Sequence, residues 1–398
     1  MFGNTPLLMV EDQDTLNQVA ERLRGAPVIG VDTESDSFHH YQEKVCLVQI
    51  SDAEQDYIVD PLAVPNLSPL ADVFADPQTV KVLHGADYDV VCLKRDFDLP
   101  ISNIFDTMLA SLFLGLPRIG LADLIGRFFG HKIDKKYQRH DWALRPLLPE
   151  HLQYARGDTH WLLALQEVLT YRLKQRGKIG ALMEECAILE TREWSGRLDD
   201  PGRFLKIKKS GTLDERGQKV LRALWQYREA EAVRLDRPPF KVLADAVLLQ
   251  FAQTQPVDLA SLQSEFRQGS QLVRRHGAGI VRAVQLGKED EEPLPKAKKK
   301  GPKTKRSNRR DGPGVEKVFL RLKNWRNEIT QTKGLNPVVV VNNALLREIA
   351  KAAPASSEEL GNVEGMRDWQ MASYGDAILE VLAEIKMPVR QKRKKPTT

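Results

Sequence analysis

Carboxylates in three short stretches of the chain could together hold a hard metal ion and hydrolyse a phosphodiester: Asp32 and Glu34 in VIGVDTE, Asp87 or Asp89 in VLHGADYD, and Asp158 in YARGD. Asp32 and Glu34 follow the apolar run Val28-Ile29-Gly30-Val31, which reads as a buried strand. Side chains at i and i+2 of a strand share a face, so both carboxylates converge on one point. Two carboxylates held together repel and take up protons unless a cation joins them. A ligand set made only of oxygen favours Mg²⁺ or Mn²⁺. Taken alone, an Asp-x-Glu pair is more often a turn-forming pair at a strand end. Tyr154 and Asp158 lie four residues apart in EHLQYARGDTHWLLALQEV, which reads as one continuous helix. They therefore share a helix face, where a phenol beside a carboxylate could orient an attacking water or help deprotonate it. Gly157, in mid-helix, costs about 1 kcal/mol relative to alanine and points to the close approach of another group. In the third stretch a strand runs into a helix start, and the chemistry does not choose between Asp87 and Asp89. Asp87 suits an N-cap or a first-turn acid equally well.

The elements that must carry these residues are legible as a change of period. Short apolar runs, PVIGVD, VCLVQIS, DYIVD and TVKVLHG, alternate with helical stretches such as TLNQVAERLRG and HWLLALQEVLTYRLKQRG. That mixture predicts an α/β domain built on a central sheet. Beyond about residue 210 the strand signals fade and helical periodicity takes over, as in LDERGQKVLRALWQYREAEAVRLDR. Trp225 and Trp325 each follow an apolar run, and Pro239 and Pro337 then precede VLADAVLLQFA and VVVVNNALLREIA at matching distances. Two copies of one helical module of about 75 residues are the simplest reading, each large enough for an independent bundle.

A length of 398 residues predicts two or three domains. Cys46, Cys92 and Cys186 show no CxxC or Cys/His spacing, which excludes an obvious zinc site and suits a reducing compartment. The N-terminus lacks a basic segment followed by a long apolar one, and no run reaches 18 apolar residues, so the expectation is a cytoplasmic, non-membrane protein. The net charge of +5 is unevenly spread: residues 296–310 hold nine Lys or Arg and no acid, and residues 386–398 hold six and no acid. Removing those fifteen cations from the +5 leaves the rest of the chain at −10. Basic tracts of this kind attract polyanions without reading sequence, which makes nucleic acid the expected partner. Trp225, Trp325 and Trp369 sit in apolar helical patterns and read as core. Trp142 is placed to pack against the helix of Tyr154. His39 and His40, adjacent in a segment read as strand, would point opposite ways, so no zinc is assigned.

Taken together, Asp-x-Glu after a strand, His84-x4-Asp89, and Tyr154-x3-Asp158 resemble the DEDD superfamily of 3′→5′ exonucleases in its tyrosine-bearing subgroup. The chain resembles the ribonuclease D family in particular, because DWALRPL (Asp141 to Leu147) precedes the third motif and the two helical modules look like HRDC domains. The second copy matches more closely, with NPVVVVNNALLREIA, Trp369 and SYGDAILEVL in order, whereas RRHGAGIVRAV replaces the Tyr-Gly step in the first. The resemblance implies a ribonuclease H-like α/β exonuclease domain with a mixed central sheet flanked by helices, followed by two all-α HRDC-like bundles. The expected divisions are 1–205, 206–288, a charged linker 289–314, 315–386, and a basic tail 387–398.

The resemblance also selects Asp89 over Asp87 and makes Asp32, Glu34, Asp89, Tyr154 and Asp158 the catalytic set. Asp32, Glu34, Asp89 and Asp158 would bind two Mg²⁺ or Mn²⁺ ions, with Asp32 bridging them and Tyr154 orienting the water that releases a nucleoside 5′-monophosphate. Thr33, Gln49, His84 and Arg145 would contact substrate, with Gln49, Asp106 and Arg145 serving as scaffold or positioning groups. The implied partner is RNA, above all tRNA precursors with 3′ extensions and other small structured RNAs, trimmed by a monomeric enzyme. The alternatives are a proofreading-type DNA 3′→5′ exonuclease, which would use the same residues, and a non-catalytic nucleic-acid scaffold.

Overall fold

The computed structural model describes residues 5–194, 200–265, 271–295 and 313–386. The basic parts of the expected linker, 296–312, and the expected tail, 387–398, lie outside the described residues. Among those described, six strands form one sheet: β1 (Leu7–Val10), β2 (Val28–Ser35), β3 (Val45–Ser51), β4 (Asp56–Val59), β5 (Val80–Leu83) and β6 (Ile104–Asp106), in the order β1-β4-β3-β2-β5-β6. β3 runs antiparallel to β2 and β4, and the remaining pairs are parallel, which makes the sheet mixed. Every residue of β3 is buried, as a near-continuous apolar run in a central strand requires. The four apolar runs read from the sequence became β2 to β5. β1 and β6 are edge strands of four and three residues, too short for a period to register.

Helices cover both faces: α1 (Gln13–Leu23), α2 (Ala71–Ala75), α3 (Asp87–Phe97), α4 (Thr107–Phe113), α5 (Leu121–Phe129), α6 (Pro149–Thr159), α7 (Leu162–Gln175) and α8 (Ile179–Glu190). The stretch expected as one helix, Glu150 to Val168, is two: α6 ends at Thr159 and α7 begins at Leu162. The corner lies directly on β2. A Cβ on Gly30 would stand 3.1 Å from the Thr159 carbonyl oxygen and 3.3 Å from Leu162 Cβ, so only glycine permits this approach. At Gly157, where the close approach was expected, an added Cβ would meet nothing within 4 Å, so that inference from sequence fails.

The first helical module comprises α9 (Glu215–Leu235), α10 (Pro239–Val242), α11 (Asp245–Thr254), α12 (Leu259–Glu265) and α13 (Gln271–Glu289), and the second α14 (Pro313–Lys333), α15 (Asn343–Ala352), α16 (Ser357–Gly361) and α17 (Asp368–Lys386). Their equivalence is written in hydrogen bonds. Buried Arg228 donates to the Leu243 carbonyl and to Asp245, and buried Arg326 donates to the Val341 carbonyl and to Asn343, at the same sequence offsets. That register aligns Pro239 with Pro337 and Tyr227, not Trp225, with Trp325. Tyr227 meets His276 and Trp325 meets Tyr374 edge to face, each pair 6.2 Å apart. Pairing Trp225 with Trp325 on sequence was therefore out of register.

The first module keeps its own core, joined by Tyr41 of the α/β domain. The second does not stand apart as an independent bundle. Its core is continuous with that of the α/β domain, Trp369 packs edge to face on Phe113 at 5.2 Å, and Glu184 accepts from the backbone N–H groups of Asp368 and Trp369. All three cysteines are buried and free, and no helix among the described residues is long and apolar enough to cross a membrane.

Candidate active site

β2 places Asp32 and Glu34 on one face of the sheet, and α6 crosses that face to bring in Asp158. Carboxylate oxygens of the three lie within 4.8 Å of one another. Asp89 enters from the first turn of α3, buried, and accepts a 2.5 Å hydrogen bond from the Thr33 hydroxyl. Burial separates the two acids between which sequence chemistry did not choose: Asp87 lies exposed on the same helix and pairs with Arg192. Tyr154 stands one turn before Asp158, its ring 5.8 Å from that of Trp142 and 5.8 Å from that of Tyr137. Trp142 is 1% exposed and backs the phenol, as expected.

The electrostatics of the four acids are those of mutual repulsion in a buried site. Burial, followed by the charges of Asp89, Asp158 and Glu34, pushes Asp32 well above the carboxylate range. Burial and the charges of Asp158 and Asp89 do the same to Glu34. Burial lifts Asp89 to about 6 against the opposing Thr33 hydrogen bond, and burial together with Asp89 lifts Asp158 to about 7. The Tyr154 phenol is raised by burial and then by Asp158, Glu34 and Asp32. The largest causes of these shifts are burial and the charges of the neighbouring acids. Four acids facing one another, with oxygen donors alone, fit hard divalent cations.

The other expected contacts separate into two groups. Gln49 sits directly opposite Asp32 in the β2–β3 register, so its fully buried side chain shares the face of the acids, and neither amide atom has a protein partner. Thr33 is committed to Asp89. Arg145, by contrast, is spent on scaffold: Nε and Nη2 donate to the two oxygens of Asp60 at 2.6 and 2.7 Å, and the remaining N–H groups reach the carbonyls of Cys46, Trp142 and Leu144. Its bonds tie DWALRPL to β3 and β4 and leave no donor for substrate. His84 Nδ1 lies 2.9 Å from the Thr107 hydroxyl, and burial lowers its pKa, which fits a neutral structural imidazole. Asp106 accepts from the backbone of Gly85, Ala86, Met108 and Leu109, fixing the entry to α3 that presents Asp89. His39 and His40 lie in the turn after β2, not in a strand, and both approach Asp141 at 3.7 Å.

One group was missed altogether. Asp56, at the start of β4, is 1% exposed and accepts from Thr5 Oγ1 at 2.6 Å, Arg156 Nε at 2.6 Å and His160 Nδ1 at 2.8 Å. Ser51 Oγ lies 2.6 Å from the other Asp56 oxygen and 2.7 Å from Thr159 Oγ1. Burial pushes Asp56 up, but the hydrogen bonds from His160, Ser51 and Thr5 outweigh it and hold the carboxyl below the usual range. This network latches α6 to β3 and β4 on both sides of Asp158. Only the side-by-side Arg156 and His160 around the motif could have signalled it in sequence.

Comparison with known proteins gives the same domain plan. Residues 7–174 match the 3′-5′ exonuclease family, and residues 217–284 and 315–382 each match the HRDC domain. Ribonuclease D of Gluconacetobacter diazotrophicus is 31% identical over 70% of this chain and 71% of its own. The crystal structure of the catalytic core of RRP6 from Trypanosoma brucei shares 32% identity over 71% of this chain and 80% of its own, with a TM-score of 0.61. The crystal structure of Escherichia coli RNase D, 24% identical, covers 96% of this chain and 99% of its own at a TM-score of 0.71, a likeness of fold. The chain spans less than half the length of the first curated relatives it matches, which are exosome components.

Proposed function

The chain belongs to the ribonuclease D family of 3′→5′ exoribonucleases, and from that premise we propose that it trims the 3′ ends of tRNA precursors and other small structured RNAs, releasing nucleoside 5′-monophosphates. The observation that carries the proposal is the convergence of Asp32, Glu34 and Asp158 within 4.8 Å, with Asp89 near enough for its charge to act on all three. A scaffold protein gains nothing from such repulsion, whereas a metal-dependent hydrolase requires it. Asp32, Glu34, Asp89 and Asp158 would hold divalent ions, Mg²⁺ or Mn²⁺. When bound, such ions would neutralise the carboxylates, activate water and offset charge developing at the scissile phosphate.

The chain's own residues do the rest. Thr33 fixes the Asp89 carboxylate through its hydrogen bond, which opposes the rise that burial imposes. Tyr154, held against Trp142, keeps its proton at neutral pH. It therefore orients a water by hydrogen bonding instead of removing the water's proton. Gln49 offers a buried amide beside Asp32 for a water. The proposed division is a nuclease domain over 1–205 and helical modules over 206–288 and 315–386.

The test is digestion of a 3′-extended tRNA by wild type and Asp32→Asn, with products resolved nucleotide by nucleotide, in Mg²⁺ and in EDTA. Wild type should release mononucleotides in Mg²⁺ only, and Asp32→Asn should be at least about 10³-fold slower while still binding RNA, since loss of one carboxylate removes several kcal/mol of charge stabilisation. Faster digestion of single-stranded DNA than of RNA of the same sequence would move the chain to the DNA-directed alternative. Absence of any release would leave a binding scaffold.

A further inference from the structure

The loop that leaves the acid-bearing strand forms one wall of a second cleft. Its volume is about 290 Å³, and Phe38 and Glu43 of that loop, Trp194, Arg203 and Phe240 of α10 line it. Three of these are large aromatic side chains left open: Phe38 is 42%, Trp194 40% and Phe240 52% exposed. Phe38 and Phe240 meet edge to face, with centroids 6.1 Å apart and planes at 78°, which does not cover their faces as a stacked pair would. Guanidinium groups already lie over two of the rings, Arg139 over Phe38 at 5.9 Å and Arg95 over Trp194 at 4.7 Å. Arg139 makes no ion pair among the described residues. Glu43 in the cleft pairs with Arg95 at 3.0 Å, and Arg95 also holds Asp96 at 2.6 Å, so the cation of the cleft with no such pairing is Arg139.

The cleft is tied to the acid-bearing elements by hydrogen bonds, and its walls are fastened to each other. Tyr88, next to Asp89, lies 3.1 Å from the hydroxyl of Ser35, the neighbour of Glu34, and donates to Glu43 at 3.3 Å. The two facing walls belong to different domains and are locked together at the end of α9. Asp236 there sits 2.7 Å from His40 Nδ1 and accepts from the Tyr41 backbone N–H, and the Tyr41 hydroxyl donates to Glu229. Exposed aromatic faces beside cationic charge, held rigidly next to a phosphodiester site, match the chemistry that binds single strands: bases stack on rings and cations follow the phosphates.

We propose that this cleft, between the β2–β3 loop and the first helical module, is a stacking subsite for an unpaired base of the substrate strand upstream of the scissile phosphate. The inference rests on the nucleic-acid reading of the acid cluster. It gives the first, more divergent helical module a part in substrate binding: supplying Phe240.

The test uses the full-length protein. Rates are measured for Phe240→Leu and Phe240→Trp on a dinucleotide and on an unstructured dodecanucleotide RNA. Stacking of one base accounts for about 1–3 kcal/mol, so in Phe240→Leu the ratio of kcat/KM on the long strand to that on the dinucleotide should fall at least about 5-fold, through KM. Phe240→Trp should keep the wild-type ratio. A wild-type ratio in Phe240→Leu, which preserves the apolar contact with Phe38 but not the aromatic face, would show that the ring is only packing and overturn the proposal. A second readout needs no hydrolysis. In EDTA, 2-aminopurine is moved base by base from the 3′ end, and its fluorescence should be quenched at one internal position in wild type and recover there in Phe240→Leu. Quenching that is uniform along the strand, or unchanged by the substitution, would refute the subsite. If wild type releases no nucleotide, the exonuclease reading fails on its own, and the position-specific quench still decides the cleft.

Discussion

At the scale of single residues, the four acids impose a cost on folding that can be measured without any substrate. Asp158 rises to about 7 and Asp89 to about 6 in the folded chain, from an ordinary value of 3.8. The folded state therefore binds more protons than the unfolded state between those values, and stability must fall as pH rises. The contribution is fully present below about pH 4 and is lost as pH passes through about 6 to 7. In EDTA the melting temperature of wild type should decline from pH 5 to pH 8, and Mn²⁺ should abolish most of that decline. Asp32→Asn removes one of the repelling charges and should raise the metal-free melting temperature at pH 8 by about 2–4 °C for each kcal/mol relieved, although it destroys activity. A melting temperature in Asp32→Asn no higher than wild type at pH 8 in EDTA would mean that the carboxylates do not repel as described. Asp32 and Glu34 were legible in sequence because strand period alone puts i and i+2 together. Asp89 was legible only through the family resemblance, because the first turn of a helix exposes one acid and buries the next according to what packs against it, here Thr33. Arg145 was left as either a scaffold or a substrate-positioning group for a related reason: a guanidinium that binds a phosphate and one that binds a buried Asp60 look the same in sequence.

At the scale of elements, the site depends on where α6 ends. A continuous helix through His160 would carry Asp158 on a straight rod across β2. The observed corner at His160-Trp161 lets the Thr159 carbonyl rest on Gly30 instead. Helical periodicity could not show that corner, because it is made by tertiary hydrogen bonds to Asp56 and Ser51 and not by any helix breaker. Asp56→Asn tests the latch. It leaves Arg156 without its counter-ion and weakens the bond to His160, and should cost about 3 kcal/mol, the lower end for breaking a buried pair because Arg156 remains partly solvated. Since Tyr154 and Asp158 ride on α6 and the cleft proposed to hold the substrate strand is not lined by it, kcat should fall at least about 10-fold while KM changes less than about 3-fold, in line with the sensitivity of catalysis to sub-ångström placement. Loss of stability with unchanged kcat at 20 °C would make Asp56 a support of the fold alone. The repeat shows the same limit of sequence reading. Its existence was visible in Pro239 and Pro337, but its register was fixed by Arg228 and Arg326, whose identical buried bonds appear only in three dimensions.

At the scale of the whole molecule, charge and architecture are at odds in an informative way. Both helical modules are fastened to the nuclease body, the first through Asp236 and Tyr41 and the second through Glu184, Phe113 and a shared core. The parts so joined carry the acids: setting aside the fifteen cations of 296–310 and 386–398, a chain of net charge +5 is left at −10. A polyanionic strand approaching this body meets a net repulsion, offset at local cations such as Arg139. The two basic tracts lie outside the described residues, yet composition alone gives them a measurable role. If the nine cations of 296–310 contact phosphates, they release counterions, and on single-stranded RNA each contact contributes about 0.7 to the slope of log affinity against log salt. Replacing all nine by Gln should therefore weaken binding at low salt and flatten that slope by up to about 6. The product pattern on a short unstructured RNA should remain the same, because the acids that specify the reaction are untouched. An unchanged slope would assign the phosphate contacts to the folded surface, and the arginines around the Phe38 cleft would then be the next to neutralise.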